Sequence, residues 1–138
     1  MIVDTSALIA IVKQEPEAAS IATAMENAKV LRISTGTLLE AFIVADGYRI
    51  PKFSARLEEI VEHPRMTIEP FTREQARIAR QAYRDYGKGS GHPANLNFGD
   101  CFSYALARDK REPLLYKGDD FVHTDLRSAA ENKANPRD

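Results

Sequence analysis

Short apolar runs alternate with longer amphipathic segments along this chain, and the alternation predicts a parallel sheet covered by helices. Four short runs rich in apolar and β-branched residues indicate strands, at 2–3, 30–33, 66–69 and 113–116. Between them, apolar residues recur every three or four positions, as in helices that bury one face. These segments predict helices at 7–12, 16–27, 35–48, 51–61, 73–86 and 98–109. Strands that alternate with helices are typical of α/β proteins, in which helices cover both faces of a mostly parallel sheet.

Local signals refine this prediction at the ends of the segments. Ser6 is predicted to cap the first helix, Ser34 or Thr35 the third, and Thr72 the helix 73–86. The apolar residues within 121–126 predict a short fifth strand.

Length and composition predict one domain in a reducing compartment. The 138 residues suit a single domain at 1–129, followed by a polar tail at 130–138 that we expect to be disordered. The formal net charge is -1, which excludes a uniformly basic nucleic-acid-binding protein and leaves room only for a local basic patch. The single cysteine cannot form an internal disulfide. With no secretory signal pattern and no apolar run long enough to span a bilayer, the expected location is the cytoplasm.

Acidic residues stand where strands end or helices begin, at Asp4, Glu40, Asp100 and Asp119. In open α/β sheets, ligands bind in the crevice beyond the carboxyl ends of the strands. Carboxylates that converge there repel one another, and a divalent cation such as Mg²⁺ or Mn²⁺ relieves the repulsion. Such a cation also suits phosphate chemistry, so the pattern predicts a metal-dependent phosphodiesterase.

Each acid also has a purely structural interpretation. Asp4 can cap the helix that follows it, and Glu40 and Asp100 can interact with the dipoles of their helices. Asp119 and Asp120 occupy a Gly-Asp-Asp turn, where aspartate is common. Taken singly these alternatives stay open, but four acids after four different elements favour a common site.

A second signal is a row of basic residues in the helix 73–86. Arg73, Arg77, Arg80 and Arg84 are spaced by four, three and four residues, and Lys88 extends the charge into the following glycine-rich loop. At 100° per residue this spacing places the arginines on one narrow face. We call these five residues the arginine stripe. It is either an ordinary solvated face or a track for the phosphates of RNA.

Several motifs together resemble a PIN-domain ribonuclease, and most closely the VapC toxins of bacterial type II toxin–antitoxin modules. The resemblance covers the chain to about Ala129, and its motifs are the start Ile-Val-Asp-Thr-Ser, Glu40, the block Leu-Asn-Phe-Gly-Asp-Cys at 96–101, and Lys-Gly-Asp-Asp-Phe at 117–121. It implies an α/β/α sandwich, a homodimer, and a Mg²⁺- or Mn²⁺-dependent endoribonuclease. It also implies a small antitoxin protein that blocks the acidic site.

The resemblance assigns roles to individual residues. Asp4, Glu40, Asp100 and Asp119 match the family's acidic quartet, with Asp4 and Asp100 as direct metal ligands. Counting from the end of the fourth strand favours Asp119 over Asp120, and the choice between them stays open. Many members carry Ser or Thr two residues before the last acid, where this chain has Lys117.

Two other classes of function remain as alternatives. One is a phosphotransfer enzyme that uses Asp4, although Ser6 stands where dehalogenase-like enzymes need a second aspartate. The other is a catalytically silent PIN scaffold that binds RNA or protein. Metal-dependent cleavage of RNA separates both from a nuclease.

Overall fold

The sheet of the computed structural model, which describes residues 1–129, has four parallel strands. They are β1 (Ile2–Val3), β2 (Leu31–Ser34), β3 (Met66–Glu69) and β4 (Leu114–Leu115), in the order β3-β2-β1-β4. The prediction of a mostly parallel sheet is confirmed. The predicted tail at 130–138 lies outside the described residues.

Within residues 1–129, six α-helices connect the strands. They are α1 (Thr5–Val12), α2 (Ala18–Asn27), α3 (Thr35–Gly47), α4 (Pro51–Val61), α5 (Arg73–Tyr86) and α6 (Phe98–Lys110). Ser34 caps α3 and Thr72 caps α5 with their side-chain oxygens, as predicted. In residues 1–129, no helix combines the length and the apolar composition that crossing a bilayer requires.

The prediction of a fifth strand is wrong, because residues Phe121–His123 form a 3₁₀ turn. The ring of Phe121 is buried against Tyr116, with ring centroids 5.2 Å apart. The tight turn buries the ring of Phe121, one of the apolar residues whose pattern predicted a strand.

Two apolar layers cover the sheet, one on each face. Side chains of a strand alternate between faces, so Val3 packs with residues of α1 to α4 while Ile2 packs with residues of α5 and α6. Both side chains are fully buried. The result is the α/β/α sandwich that the sequence predicted.

The strand order fixes where a ligand can bind. β1 pairs with β2 on one side and with β4 on the other, so the chain changes direction across the sheet at β1. Such a switch point opens a crevice beyond the carboxyl ends of the two strands at which the order reverses, here β1 and β4. Asp4 follows β1 and the Gly-Asp-Asp turn follows β4, so both enter this crevice.

Candidate active site

Asp4 is held rigidly at the end of β1. It is 3% exposed, and its Oδ2 accepts hydrogen bonds from the Ser6 backbone N–H (3.0 Å) and the Ser6 hydroxyl (2.7 Å). Its Oδ1 accepts a hydrogen bond from the Ser103 hydroxyl at 2.6 Å. Asp4 therefore caps α1, and the prediction that Ser6 does so is wrong. Each carboxylate oxygen has two lone pairs, so capping leaves room for a further ligand.

A buried hydroxyl network fixes Asp4 to three other parts of the fold. The Ser103 hydroxyl of α6 lies 3.1 Å from the Thr37 hydroxyl of α3, and both residues are fully buried. The Ser6 hydroxyl accepts the backbone N–H of Lys117, just after β4, at 2.9 Å. Because every member has a partner, the network holds the carboxylate in one orientation.

Glu40 approaches Asp4 from α3. The side chain is half-buried, and its Oε1 accepts the Thr5 hydroxyl at 2.5 Å. Burial raises the pKa of Glu40, the hydrogen bond from Thr5 opposes that rise, and the charge of Asp4 adds to it. A carboxyl with a raised pKa is suited to accept a proton near neutral pH.

Gly99 makes room for Glu40 beside α6. A Cβ atom at position 99 would collide with the Glu40 carboxylate, so only glycine lets the acid approach the first turn of this helix. The glycine of the Asn-Phe-Gly-Asp block therefore has a physical role that the sequence alone did not reveal.

Asp100 is part of the cap of α6. Its backbone N–H donates to the Asn97 side chain at 2.9 Å, while its Oδ2 accepts the Asn97 backbone N–H at 3.0 Å. The residue is 9% exposed. Burial raises its pKa, the Asn97 N–H opposes the rise, and Asp4 and Asp120 add to it, giving a pKa of about 8. In the absence of a cation, Asp100 therefore holds a proton at pH 7.

The turn after β4 brings Asp120 to Asp100. Asp120 is near enough for its hydrogen-bonding capacity and its charge to add to the raised pKa of Asp100. Asp119 instead lines a groove with Glu17, Lys117 and residues of α2. Gly118 has a φ of +101°, so the chain turns there and does not continue the strand direction.

Lys117 occupies the position where many family members carry a hydroxyl. Its ammonium group binds Glu15 at 2.6 Å and Glu17 at 3.5 Å, which ties the end of β4 to the turn between α1 and α2. Its backbone N–H supplies the polar contact to Ser6 described above. The lysine side chain thus has a structural partner outside the acidic cluster.

The acids meet in pairs, and their chemistry fits a hard cation. Asp4 interacts electrostatically with Glu40 and with Asp100, and Asp120 interacts electrostatically with Asp100. Within residues 1–129, no group of three or more His, Cys, Asp or Glu side chains is already arranged to hold a metal ion. The donors are carboxylate oxygens, which Mg²⁺ and Mn²⁺ prefer. Burial, followed by the charges of Asp4 and Asp120, raises the pKa of Asp100, and a cation would offset both causes.

The arginine stripe lies on the exposed side of α5. All five of its residues are exposed, while Ala79 and Ala82 on the other side of the helix are buried. Arg77, Arg80 and Arg84 line a groove of about 370 Å³. We call it the arginine groove. The placement agrees with the predicted spacing, and a role in RNA binding stays a prediction.

The sequence patterns did not identify two residues that help to position Asp4. Ser103 lies three residues after Asp100, on the same face of α6, and Thr37 lies three residues before Glu40 on α3. A small hydroxyl residue one turn from an acid, within an apolar helix, is the signal that marks both.

The model of the family described as PIN domain matches residues 1–126. Ribonuclease VapC28 of Mycobacterium tuberculosis is 55% identical over 133 residues, which cover 96% of this chain and 100% of that protein.

Two solved structures share the fold. The crystal structure of Mycobacterium tuberculosis VapC20, described as a sarcin-ricin loop cleaving toxin, matches with a TM-score of 0.71 and 17% identity, covering 91% of this chain and 95% of that one. A toxin–antitoxin complex from Klebsiella pneumoniae matches with a TM-score of 0.66 and 19% identity, covering 90% and 92%. With the family model and a close relative over nearly its whole length, the chain belongs to the PIN-domain family and, within it, to the VapC ribonucleases.

Proposed function

We propose that this protein is a Mg²⁺- or Mn²⁺-dependent endoribonuclease that acts in the cytoplasm as the toxin of a toxin–antitoxin pair. The observation that carries the proposal is the meeting of Asp4, Glu40, Asp100 and Asp120 at the switch point of the sheet. The relationship to a VapC ribonuclease supports it.

Asp4 and Asp100 are the residues that would hold the cation. Asp4 is kept in one orientation by Ser6 and Ser103, while Asp100 is fixed at the start of α6 by Asn97. The chemistry that a bound divalent cation supplies is a lowered pKa for a coordinated water and compensation of charge on the phosphate. Asp100 must release its proton to take this role, so affinity for the cation rises with pH toward 8.

Glu40 is the proton acceptor in this proposal. Its raised pKa makes it a stronger proton acceptor for an attacking water than an ordinary carboxylate. Thr5 orients the carboxylate, and Gly99 provides the space in which it lies. Loss of Glu40 should therefore lower kcat more than it raises KM.

Asp120 is our proposal for the fourth acid, in place of Asp119. The contribution of Asp120 to the raised pKa of Asp100 supports its membership of the cluster. Asp119→Asn and Asp120→Asn differ by one position in the same exposed turn, so they form a matched pair. We expect Asp120→Asn to reduce the cleavage rate at least tenfold more than Asp119→Asn does. The opposite ranking would restore the assignment made from the sequence.

The negative charge of the acidic cluster indicates which kind of protein partner would bind there. A cluster of carboxylates is a receptor for the guanidinium group of arginine, which supports a small antitoxin that blocks the acids. The likeness to a toxin–antitoxin complex supports the same partner.

We also propose a homodimer, since Leu39 and Ile43 of α3 are 63% and 62% exposed and form an apolar row. Adding the antitoxin encoded beside the protein should stop cleavage, and sedimentation should give twice the chain mass.

The experiment that tests the function is cleavage of total cellular RNA by the purified protein, with Mg²⁺ or Mn²⁺ and then with EDTA. We expect discrete cuts that EDTA abolishes and whose ends can be mapped. Folded protein that makes no cut with either metal would favour a silent scaffold. A phosphoryl group trapped on Asp4 would favour a phosphotransfer enzyme instead.

A further inference from the structure

An apolar pocket opens between α5 and α6, at the end of α6 that also carries Asp100. We call it the aromatic pocket; its volume is about 380 Å³, within the range of pockets that hold small ligands. Its lining residues are Phe71, Ala76, Ala79, Arg80, Tyr83, Phe98, Cys101 and Phe102.

Phe98 gives the pocket an exposed aromatic surface. Its side chain is 78% exposed, although it is the first residue of α6 and lies two positions before Asp100. Its ring meets the edge of Phe102 at a centroid distance of 5.1 Å, and Phe102 in turn contacts Phe71 at 4.7 Å. This chain of edge contacts supports the Phe98 ring from one side and leaves its other surface in water.

The position of the pocket connects it to the chemistry. Gly99, the next residue after Phe98, packs against the carboxylate of Glu40. A phosphodiester bound at the acids would therefore place a neighbouring nucleotide within reach of the Phe98 ring.

Charge continues from the pocket into the arginine groove. Arg80 lines both, so the aromatic surface merges with a positively charged one. Exposed rings combined with arginines form the surface with which proteins bind single-stranded nucleic acid, because the rings stack on bases and the arginines contact phosphates. An apolar protein segment would gain nothing from this charge, so the charge favours RNA as the occupant.

We propose that the aromatic pocket takes one unpaired base of the RNA, adjacent to the cut, with Phe98 stacked on it and Arg80 beside the flanking phosphate. The proposal rests on the proposed ribonuclease function and adds a specificity determinant to it. A base held in a pocket must leave its helix, so the enzyme selects loops and single strands over duplexes.

The test compares two substitutions of one exposed residue. Phe98→Leu keeps apolar bulk but removes the ring, whereas Phe98→Tyr keeps the ring. On a short single-stranded RNA that contains a mapped cut, Phe98→Leu should lower kcat/KM about tenfold, and Phe98→Tyr should stay within about twofold of wild type. Val30→Ala, also at an exposed apolar residue but outside the pocket, should leave kcat/KM unchanged.

Abasic substrates identify the base in question. Removing the base that occupies the pocket should lower wild-type kcat/KM by about the same factor as Phe98→Leu, and should have little further effect on that variant. If the effects of Phe98→Leu and of base removal on kcat/KM multiply at every abasic position, the proposal is overturned. So would a halved particle mass for Phe98→Leu in sedimentation, which would make the pocket a subunit interface.

A binding measurement separates this proposal from the nuclease function. In the Asp100→Asn chain, short RNA carrying one 2-aminopurine should lose fluorescence when the modified base stacks in the pocket, and adding Phe98→Leu should abolish that loss. If wild type cuts RNA but neither effect of Phe98 is seen, the pocket proposal fails and the nuclease stands. If wild type does not cut and quenching is seen, the pocket proposal stands as a binding site alone.

Discussion

Replacing Asp100 by asparagine should make the metal-free protein more stable. The carboxyl has an ordinary pKa of 3.8 and a folded pKa of about 8, so folding favours its protonated form. Stability from this group is therefore greatest below pH 4 and is lost as the pH rises toward 8. Asparagine resembles the protonated acid, since its oxygen can accept the Asn97 N–H while its NH₂ donates to Asp120.

The pKa interval sets the size of the effect. At 1.36 kcal/mol per pKa unit, the interval between 3.8 and an assay pH of 7 corresponds to about 4 kcal/mol. Part of this cost reflects the burial of a polar group, and asparagine at this position bears that part as well. We therefore expect about half of it, roughly 2 kcal/mol, to be recovered by Asp100→Asn. That gain raises Tm by roughly 6–8 °C in a domain of this size.

Urea denaturation followed by circular dichroism, in EDTA at pH 7 and at pH 5, measures the difference. The advantage of Asp100→Asn should shrink below about 1 kcal/mol at pH 5, because the interval between the ordinary pKa of 3.8 and the assay pH is then much smaller than at pH 7. Glu59→Gln removes the same charge from an exposed position on α4 and should change stability by less than about 0.5 kcal/mol. The reasoning is refuted if Asp100→Asn is no more stable than wild type at pH 7. It is also refuted if the difference in free energy of unfolding is the same at pH 7 and pH 5.

Three further predictions concern single residues. Gly99→Ala should reduce the rate of RNA cleavage about 100-fold, because the added Cβ displaces the Glu40 carboxylate. Gly47→Ala is the control and should keep wild-type activity in the same assay, because an added Cβ there meets nothing within 4 Å. Arg111→Gly should raise the free energy of unfolding by about 0.5–1 kcal/mol, since Arg111 ends α6 with a φ of 56°, and a lower Tm would contradict this. Arg84→Gln should reduce the salt slope of RNA binding by about 0.7, as expected for one lost phosphate contact, and an unchanged slope would remove Arg84 from the arginine groove's function.

Much of the fold was predictable because local patterns agree with the tertiary structure. The short apolar runs became the four strands, and the caps at Ser34 and Thr72 stand where hydroxyl residues precede apolar periodicity. The cap at Asp4 was assigned to Ser6 because three residues in a row could accept the same hydrogen bond. Only the backbone geometry after β1 decides among them.

The details of the site depend on contacts between distant segments. Asp4, Glu40 and Asp100 were recognisable because each follows a strand or opens a helix at one edge of the sheet. The choice between Asp119 and Asp120 depends on the positive φ of Gly118, which no spacing rule contains. The roles of Gly99 and Ser103 depend on how closely α3 and α6 approach, so they are visible only once the chain has folded.

The most direct test of the account is cleavage of the mapped RNA in Mn²⁺ by one Asp100→Asn preparation whose stability has also been measured. The account predicts a protein that is folded and more stable than wild type in EDTA, yet cuts at less than about one hundredth of the wild-type rate, while Glu59→Gln cuts normally. Cleavage by Asp100→Asn at the wild-type rate would contradict the claim that this acidic cluster is the active site.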